Sequence, residues 1–197
     1  VIIRLIVPLG QWVLETACAQ LALWAGEPAL APLTLAVNVS ARQFHQTDFV
    51  AQVQGILQAT GANPQRLELE LTESQLIDDL AGVIQKMDAL KALGVRFALD
   101  DFGTGYSSLN VLKRLPLDQL KIDQSFVRDL ANNVYDQKIV EGILLFAKKL
   151  GVQSVAEGIE NKAQYDYLRQ FQCEFCQGFY FARPMLPEEL IELLKER

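Results

Sequence analysis

The chain has 197 residues, of which 50% are hydrophobic, and this is enough to bury the core of one domain of ordinary size. Its formal net charge of −6 argues against a broad surface for DNA or for anionic membranes, although one local cationic site remains compatible with it. Without a run of eighteen apolar residues or a signal-peptide pattern, this segment is expected to be cytoplasmic and free of direct membrane contact, whereas a longer protein could be membrane-anchored.

Hydrophobic periodicity predicts an alternation of helices and strands along the chain. The expected helices lie at 8–25, 47–60, 75–93, 106–113, 135–150, 162–171 and 188–196, with Pro8 in the first turn and Ser40 as a helix cap. The expected strands lie at 33–39, 66–71, 95–99, 117–123, 152–156 and 177–181. Such alternation indicates an α/β protein whose parallel strands are joined by helical crossovers.

Six strands of this kind form either an open doubly wound sheet or an incomplete eight-stranded barrel. Nearly every expected strand ends in a polar residue: Asn38, Glu70, Asp100 with Asp101, Lys121 or Asp123, Glu157 and Gln177. An open sheet places its ligand at one switch point between two strands, whereas a closed barrel brings all strand ends to a common mouth. We therefore predict one domain, residues 1–197, with a variant TIM (β/α)8 barrel fold and six of the eight strands in this chain.

The adjacent carboxylates of Asp100 and Asp101 are the central feature of the sequence. Two neighbouring aspartates repel each other, so such a pair indicates a positive group beside them. Gly103 and Gly105 allow the backbone to turn after the strand and let a ligand approach the main chain. A solvated turn is the simpler alternative.

The polar strand ends supply only oxygen ligands, from Asn38, Glu70, Asp100, Asp101 and Glu157. Hard oxygen ligands without histidine or cysteine favour Mg²⁺, Mn²⁺ or Ca²⁺ over zinc. Five such groups exceed what one Mg²⁺ usually takes from a protein, which makes a site for two ions reasonable. Two ions side by side suit in-line hydrolysis of a phosphodiester.

Other polar residues allow more than one interpretation. Lys121 should point into the barrel, where it would orient or deprotonate the attacking water, stabilise phosphate charge, or form a structural ion pair with Asp100 or Glu157. Glu73 suits a helix cap, and Glu160 suits either a substrate contact or a first-turn carboxylate.

Three further residue types bear on the chemistry. Glu68 is expected in a polar barrel layer or a salt bridge, and His45, the only histidine, is expected on the surface. Cys173 and Cys176 form a C-x-x-C motif without a second pair to complete a zinc site. Buried thiols are the expected outcome for this pair, with redox chemistry as the alternative.

Several segments together resemble the EAL-domain family over essentially the whole chain. They are Val37-Asn38-Val39-Ser40, Glu70-Leu71-Thr72-Glu73-Ser74, Asp100-Asp101-Phe102-Gly103-Thr104-Gly105, Lys121-Ile122-Asp123, Ala156-Glu157-Gly158-Ile159-Glu160 and Gln177-Gly178-Phe179. Six motifs in the family's order make a far more specific match than any one of them.

The resemblance implies a variant TIM barrel that hydrolyses the bacterial messenger cyclic di-GMP to linear pGpG with Mg²⁺ or Mn²⁺, and that Ca²⁺ inhibits. It implies metal binding by Asn38, Glu70, Asp100, Asp101 and Glu157. By the same resemblance, Lys121 would contact the catalytic water and Gln177 would help to position water or substrate. Glu73 would anchor the loop after Asp101, which links the metal site to the dimer interface. Asp123 and Glu160 would lie near the substrate.

The resemblance also implies a homodimer and fusion to sensory or GGDEF-type domains. One departure matters, because the family's Glu-Ala-Leu motif, whose glutamate binds metal, does not occur in this sequence. That motif would precede Val1, so we expect an N-terminally incomplete EAL domain rather than a natural six-stranded form with two exposed sheet edges. A cyclic di-GMP receptor that binds without cleaving, and an enzyme for another phosphoester, are the alternatives to a phosphodiesterase.

Overall fold

The computed structural model of the chain describes residues 2–76, 79–105 and 109–195. Within these ranges six strands form one sheet: β1 Leu35–Asn38, β2 Leu67–Thr72, β3 Arg96–Phe102, β4 Gln119–Ile122, β5 Gln153–Ala156 and β6 Phe175–Cys176. The helices there are α1 Ile2–Trp24, α2 Ala41–Phe44, α3 Phe49–Thr60, α4 Leu80–Leu93, α5 Leu109–Leu112, α6 Gln124–Arg128, α7 Val134–Leu150, α8 Lys162–Gln170 and α9 Pro187–Lys195. Two short 3-10 turns, Pro64–Arg66 and Glu73–Leu76, flank β2.

The strands are all parallel, and their spatial order is the order of the chain, β1 to β6. A doubly wound sheet reverses direction at a switch point, whereas a barrel adds each new strand on the same side of the last. The topology therefore confirms the barrel-type α/β prediction. The sheet is a curled half-barrel with β1 and β6 at its two edges.

The two faces of the sheet differ in chemistry because successive side chains of a strand point to opposite sides. Leu67, Leu69 and Phe97 are fully buried in the hydrophobic core of the domain. The alternate positions of the same strands carry Glu70 and Asp100, which meet across the inner face of the half-barrel. Burial of both faces is typical of parallel sheets, and here the inner face is polar.

A second polar layer lies below these residues, toward the amino ends of the strands. Arg96 Nη2 donates a hydrogen bond to Gln153 Oε1 at 2.8 Å, and Arg96 Nε lies 3.3 Å from Glu68 Oε2. The expected salt bridge of Glu68 is confirmed. Burial raises the pKa of Glu68, although the charge of Arg96 opposes this change.

Several element boundaries differ from the predictions. Pro8 lies inside α1 rather than in its first turn, since this helix begins at Ile2. Ser40 does cap a helix, but the helix is the short α2, and α3 begins separately at Phe49. The helix predicted over 75–93 is a 3-10 turn followed by α4, and residues 106–108 of another predicted helix lie outside the described residues.

The last predicted strand is wrong in position. The ladder with β5 is made by Phe175–Cys176, and the chain then turns, with the Phe181 amide donating to the Gly178 carbonyl. Gly178 packs so closely on Ile159 that a Cβ there would overlap the Ile159 backbone. The high strand propensity of the aromatic residues in segment 177–181 explains why the sequence predicts a strand there.

Helix α1 is the one helix in the described part of the chain that could cross a membrane by its length and composition. Its segment Leu5–Trp24 has a mean hydropathy of 1.2. Core helices of soluble proteins pass the same criterion, and Leu14, Cys18 and Leu21 of α1 are buried in the hydrophobic core. The absence of direct membrane contact therefore stays a prediction.

Candidate functional site

The site is centred on the ammonium group of Lys121, which β4 points into the half-barrel. Lys121 Nζ lies 2.7 Å from Glu70 Oε1, 3.1 Å from Asp100 Oδ1 and 2.7 Å from Glu157 Oε1. Glu70 belongs to β2, Asp100 to β3, and Glu157 follows β5 directly. One cation thus joins carboxylates from three strands, which confirms the ion pairs with Asp100 and Glu157 that the sequence left as an alternative.

Because Lys121 and its carboxylate partners are buried, their charges interact strongly. The Lys121 side chain is 6% exposed and that of Glu70 is 8% exposed. Burial alone would lower the pKa of Lys121, but hydrogen bonds to Glu157 and Glu70 outweigh this effect and raise it. Burial raises the pKa of Glu157, against the opposing effect of Lys121. Lys121 is therefore held as a cation.

A second group of carboxylates overlaps the first. Ligand oxygens of Asp100, Asp101 and Glu157 all lie within 4.8 Å of one another. The register of β3 against β4 shifts between Leu99 and Phe102, and Asp101 adopts a left-handed conformation with φ of 54°. This irregularity explains how neighbouring side chains of a strand, which normally diverge, reach one site.

Negative charge is in excess around Asp101. Burial raises the pKa of Asp101, and the charges of Asp100 and Asp123 raise it further. Burial also acts on Asp123, but hydrogen bonds from Ser125 outweigh it and lower the pKa of Asp123. Asp123 is the N-cap of α6, since its Oδ1 accepts a hydrogen bond from the Ser125 amide at 2.9 Å. Sequence reasoning missed both α6 and this capping role, although aspartate is among the preferred N-cap residues.

The turn that follows Asp101 is attached to Glu73. The Gly103 amide donates to Glu73 Oε1 at 2.9 Å, and Glu73 is 5% exposed. A Cβ at Gly105 would lie 2.5 Å from Glu73 Oε2, so the glycine allows the carboxylate to approach the backbone. The described part of the loop, up to residue 105, therefore has a buried anchor at the end of β2.

The remaining predicted site residues lie at the rim. Asn38 ends β1 directly beside Glu70 in the strand register, and its side chain is exposed. Gln177 follows β6 and Glu160 precedes α8, both with exposed side chains. The backbone amide of Gln177 donates to the Ala156 carbonyl at 2.8 Å, which fixes Gln177 beside the segment that carries Glu157.

The donor set fits a divalent metal. Asp100, Asp101 and Glu157 offer carboxylate oxygens close together, and Glu70 pairs in register with Asn38 on the neighbouring strand. Three carboxylates contact the single lysine ammonium and Asp101 lies beside two of them, so the negatively charged groups outnumber the one cation. Oxygen ligands of this kind bind Mg²⁺, Mn²⁺ or Ca²⁺.

Comparison with known proteins gives a consistent result. The sequence profile of the EAL domain matches residues 3–184. The bifunctional diguanylate cyclase/cyclic di-GMP phosphodiesterase MucR of Pseudomonas aeruginosa is 42% identical over 187 residues, covering 95% of this chain and 27% of MucR. The cyclic di-GMP phosphodiesterase PA2567 of the same organism is 40% identical over 188 residues, covering 95% of this chain and 32% of that protein. The chain thus spans between a quarter and a third of these relatives.

Solved structures agree with these relatives. A structure described as the PaMucR phosphodiesterase in complex with c-di-GMP has a TM-score of 0.90 at 42% identity, covering 95% of this chain and 75% of that one. A manganese and cy-diGMP complex of Klebsiella pneumoniae BlrP1 has a TM-score of 0.76 at 31% identity, covering 88% of this chain and 45% of that one.

Proposed function

This chain belongs to the EAL domain family, and on that premise we propose that it is a metal-dependent phosphodiesterase that hydrolyses cyclic di-GMP to linear pGpG. The observation that carries the proposal is the meeting of Glu70, Asp100 and Glu157 around Lys121, with Asp101 in the same acidic cluster. The similarity to MucR, whose structure is named as a c-di-GMP complex, supports the choice of substrate.

The metal ligands in this proposal are Asn38, Glu70, Asp100, Asp101 and Glu157, and the ions are Mg²⁺ or Mn²⁺, with two ions in the complete site. When bound, such ions activate a water molecule and neutralise charge on the phosphate. The close approach of the Asp100, Asp101 and Glu157 oxygens supports the assignment. The manganese complex of BlrP1, a relative by structure, supports the choice of metal.

Lys121 acts in this proposal as a fixed cation. Its ammonium group is hydrogen-bonded and charged, which suits the orientation of an attacking water and the stabilisation of phosphate charge better than removal of a proton. Gln177 helps to position water or substrate from the end of β6. Glu73 acts as a positioning residue, because it holds the Gly103 amide and with it the turn after Asp101.

Asp123 and Glu160 are the proposed substrate contacts at the rim. Asp123 is held by its capping bonds to α6, and Glu160 precedes the first turn of α8. Asp123 directly follows β4, and Glu160 lies in the segment between β5 and α8. Both residues are therefore on the side of the half-barrel where Glu157 and Lys121 meet. A nucleotide spread over the mouth would meet these two residues outside the metal cluster.

The setting of the domain is part of the proposal. Because the relatives are several times longer than this chain, we propose that it works beside sensory or GGDEF-type domains, as a homodimer and in the cytoplasm. Cyclic di-GMP is the proposed ligand of the site, and DNA is not a proposed partner, since the chain carries a net charge of −6.

A receptor that binds cyclic di-GMP without cleaving it is the second candidate, because a related structure is named as a c-di-GMP complex, which bears on binding and not on cleavage. The test incubates this chain, and any longer protein that contains it, with cyclic di-GMP and Mn²⁺, and separates the products chromatographically. Binding is measured in parallel by calorimetry with Ca²⁺ in place of Mn²⁺. Linear pGpG supports the phosphodiesterase. Binding without product supports the receptor, and the absence of both favours an enzyme for another phosphoester.

A further inference from the structure

The C-x-x-C motif lies outside the acidic cluster, where the chain enters β6. Cys173 and Cys176 are both free and partly buried. The chain bends at Glu174, and Cys173 Sγ lies 3.2 Å from the carbonyl oxygen of Phe175, the residue directly before Cys176. The interaction between the two thiols raises the pKa of Cys173 and lowers that of Cys176. The bend therefore turns the Cys173 side chain along the chain toward Cys176.

The surroundings of Cys173 are polar and belong to β5. The Ser154 hydroxyl lies 3.7 Å from Cys173 Sγ, and Ser154 also contacts the Glu174 carboxylate. The Ser154 amide donates to Glu174 Oε2 at 3.0 Å. These contacts fix the bend against β5, so the two sulfur atoms are held on one short, ordered segment rather than on a free loop.

The pair is connected to the site through the backbone. Cys176 pairs in register with Ala156, the residue before Glu157. The residue after the pair, Gln177, donates its amide to the Ala156 carbonyl at 2.8 Å and accepts from the Ile159 amide at 3.1 Å. A change in the position of Cys176 therefore acts on the backbone that holds Gln177 and Glu157.

We propose that Cys173 and Cys176 are a redox modification site, which forms a reversible intramolecular disulfide and thereby adjusts the end of β6. A zinc site is the competing use of such a motif, but it requires four ligands. The third cysteine, Cys18, is buried in α1, and the only histidine, His45, follows α2. Neither belongs to the β5–β6 region.

The reaction is thiol–disulfide exchange with a small-molecule disulfide as oxidant. The Cys176 thiolate attacks one sulfur of the oxidant, which forms a mixed disulfide and releases the first thiolate. The Cys173 thiol then loses its proton to solvent and attacks the Cys176 sulfur, which releases the second thiolate. Two protein thiols are oxidised and one disulfide is reduced to two thiols, so atoms and electrons balance.

The order of attack follows from the interaction between the two thiols. This interaction lowers the pKa of Cys176, and together with burial it raises the pKa of Cys173. Cys176 is therefore the attacking thiolate. The negative charge of the Cys176 thiolate disappears when Cys176 enters the mixed disulfide. Cys173 can then lose its proton and attack the mixed disulfide.

The structural effect follows from bond length. A disulfide holds its sulfur atoms at about 2.05 Å, closer than two unbonded thiols can approach, and it removes the thiol hydrogen that Cys173 directs at the Phe175 carbonyl. Cys176 and the Gln177 amide should move relative to Ala156. Formation of the disulfide should lower cyclic di-GMP turnover at least about twofold. This effect on turnover rests on the proposed function, whereas formation of the disulfide does not.

The test uses the intact chain equilibrated in glutathione buffers of increasing oxidised fraction, quenched with acid, alkylated and analysed by mass spectrometry. Both cysteines lie on the tryptic peptide that follows Arg169, so an internal disulfide appears as that peptide lighter by two hydrogens and unalkylated. We expect this species to predominate in oxidised buffer and to disappear with dithiothreitol. Hydrogen exchange at 153–160 and 175–181 should change between the two forms.

The matched controls are Cys173→Ser and Cys176→Ser, which should abolish the internal disulfide, and Cys18→Ala, which should retain it. Persistent free thiols in oxidised buffer, a stable glutathione adduct at Cys176, or disulfides between chains would each overturn the proposal. A disulfide that leaves hydrogen exchange unchanged would overturn its effect on β6. If the reduced protein has no turnover, the proposed function fails while the disulfide result still stands.

Discussion

The ammonium group of Lys121 on β4 lies 2.7 Å from a carboxylate oxygen of Glu157, which directly follows the neighbouring strand β5. The same ammonium contacts Glu70 and Asp100 on the other side of β4. A single buried lysine thus holds the carboxyl ends of three strands together at the inner face. The acidic site is a consequence of strand order, since each partner comes from a different strand of the half-barrel.

Replacing Lys121 with methionine should strongly destabilise the fold, because buried carboxylates then lack their cation. Removal of one partner of a buried ion pair costs about 3–5 kcal/mol, and we expect a loss in this range in urea denaturation. Lys91→Met is the matched control: Lys91 Nζ lies 2.6 Å from Asp118 Oδ1, but its side chain is 32% exposed. That variant should lose no more than about 1 kcal/mol. Equal losses for the two variants would contradict the account.

Glu73→Ala should release the turn after Asp101, because the Gly103 amide loses its acceptor. Hydrogen bonds to charged groups contribute about 1.5–3 kcal/mol, and we expect a stability loss of that size. Turnover should fall on the order of 100-fold, since displacement of a catalytic group by about 1 Å has effects of this size. Steady-state hydrolysis of cyclic di-GMP measures it.

Glu73→Gln serves as the control for this prediction, since its amide oxygen can still accept from Gly103. It should retain most of the stability and more turnover than Glu73→Ala. If the alanine and glutamine variants behave alike, the hydrogen bond to Gly103 is not what positions the turn.

Gly178→Ala should destabilise the protein by at least about 2 kcal/mol, a cost typical of overpacking. The added methyl group would overlap the Ile159 backbone, which has no flexible side-chain end to move aside. Gly142→Ala is the matched control, because Gly142 is exposed within α7 with nothing near its Cβ position. It should gain about 0.8–1 kcal/mol from helix propensity. Thermal melts of both variants measure the difference, and a neutral Gly178→Ala would show that the close approach is not required.

Cys176 should react with iodoacetamide at lower pH than an ordinary thiol, because its interaction with the Cys173 thiol lowers the pKa of Cys176. Since only the thiolate reacts, the alkylation rate rises as the pH passes this pKa. Cys173→Ala removes this interaction and should move the rate profile to higher pH. Cys18 should stay unmodified in the native protein, because burial raises its pKa to about 11. An unchanged profile in Cys173→Ala would argue against the thiol pair.

Much of the architecture could be predicted from the sequence, because apolar periodicity indicates the helices and strands and the polar strand ends indicate a barrel. Asn38 ends β1 and Glu157 directly follows β5, while Glu70 and Asp100 lie two residues before the ends of β2 and β3, and parallel strands bring such positions to one edge. The roles predicted for these residues stay predictions. The ion pairs of Lys121 with Asp100 and Glu157 were one alternative among several from the sequence, and the contact with Glu70 was not predicted.

Other features escaped prediction for physical reasons. The two-residue strand β6 is too short to show a period, and its pairing with β5 depends on Ala156 and Cys176 meeting in register. The left-handed backbone of Asp101 is a tertiary effect of the irregular pairing between β3 and β4. Helix α6 has only five residues, which is too short to show a hydrophobic period, so the sequence does not reveal that Asp123 caps a helix.

The central claim is that the acidic cluster around Lys121 hydrolyses cyclic di-GMP with a divalent metal. The most direct measurement compares formation of linear pGpG by the wild-type protein in Mn²⁺ or Mg²⁺, by the same protein in a chelator, and by Asp100→Ala. Asp166→Ala, on the exposed face of α8, is the matched aspartate control. The account predicts product from the wild-type protein and Asp166→Ala with metal only, and none from a folded Asp100→Ala. Turnover by Asp100→Ala, or by the wild-type protein in chelator, would contradict it.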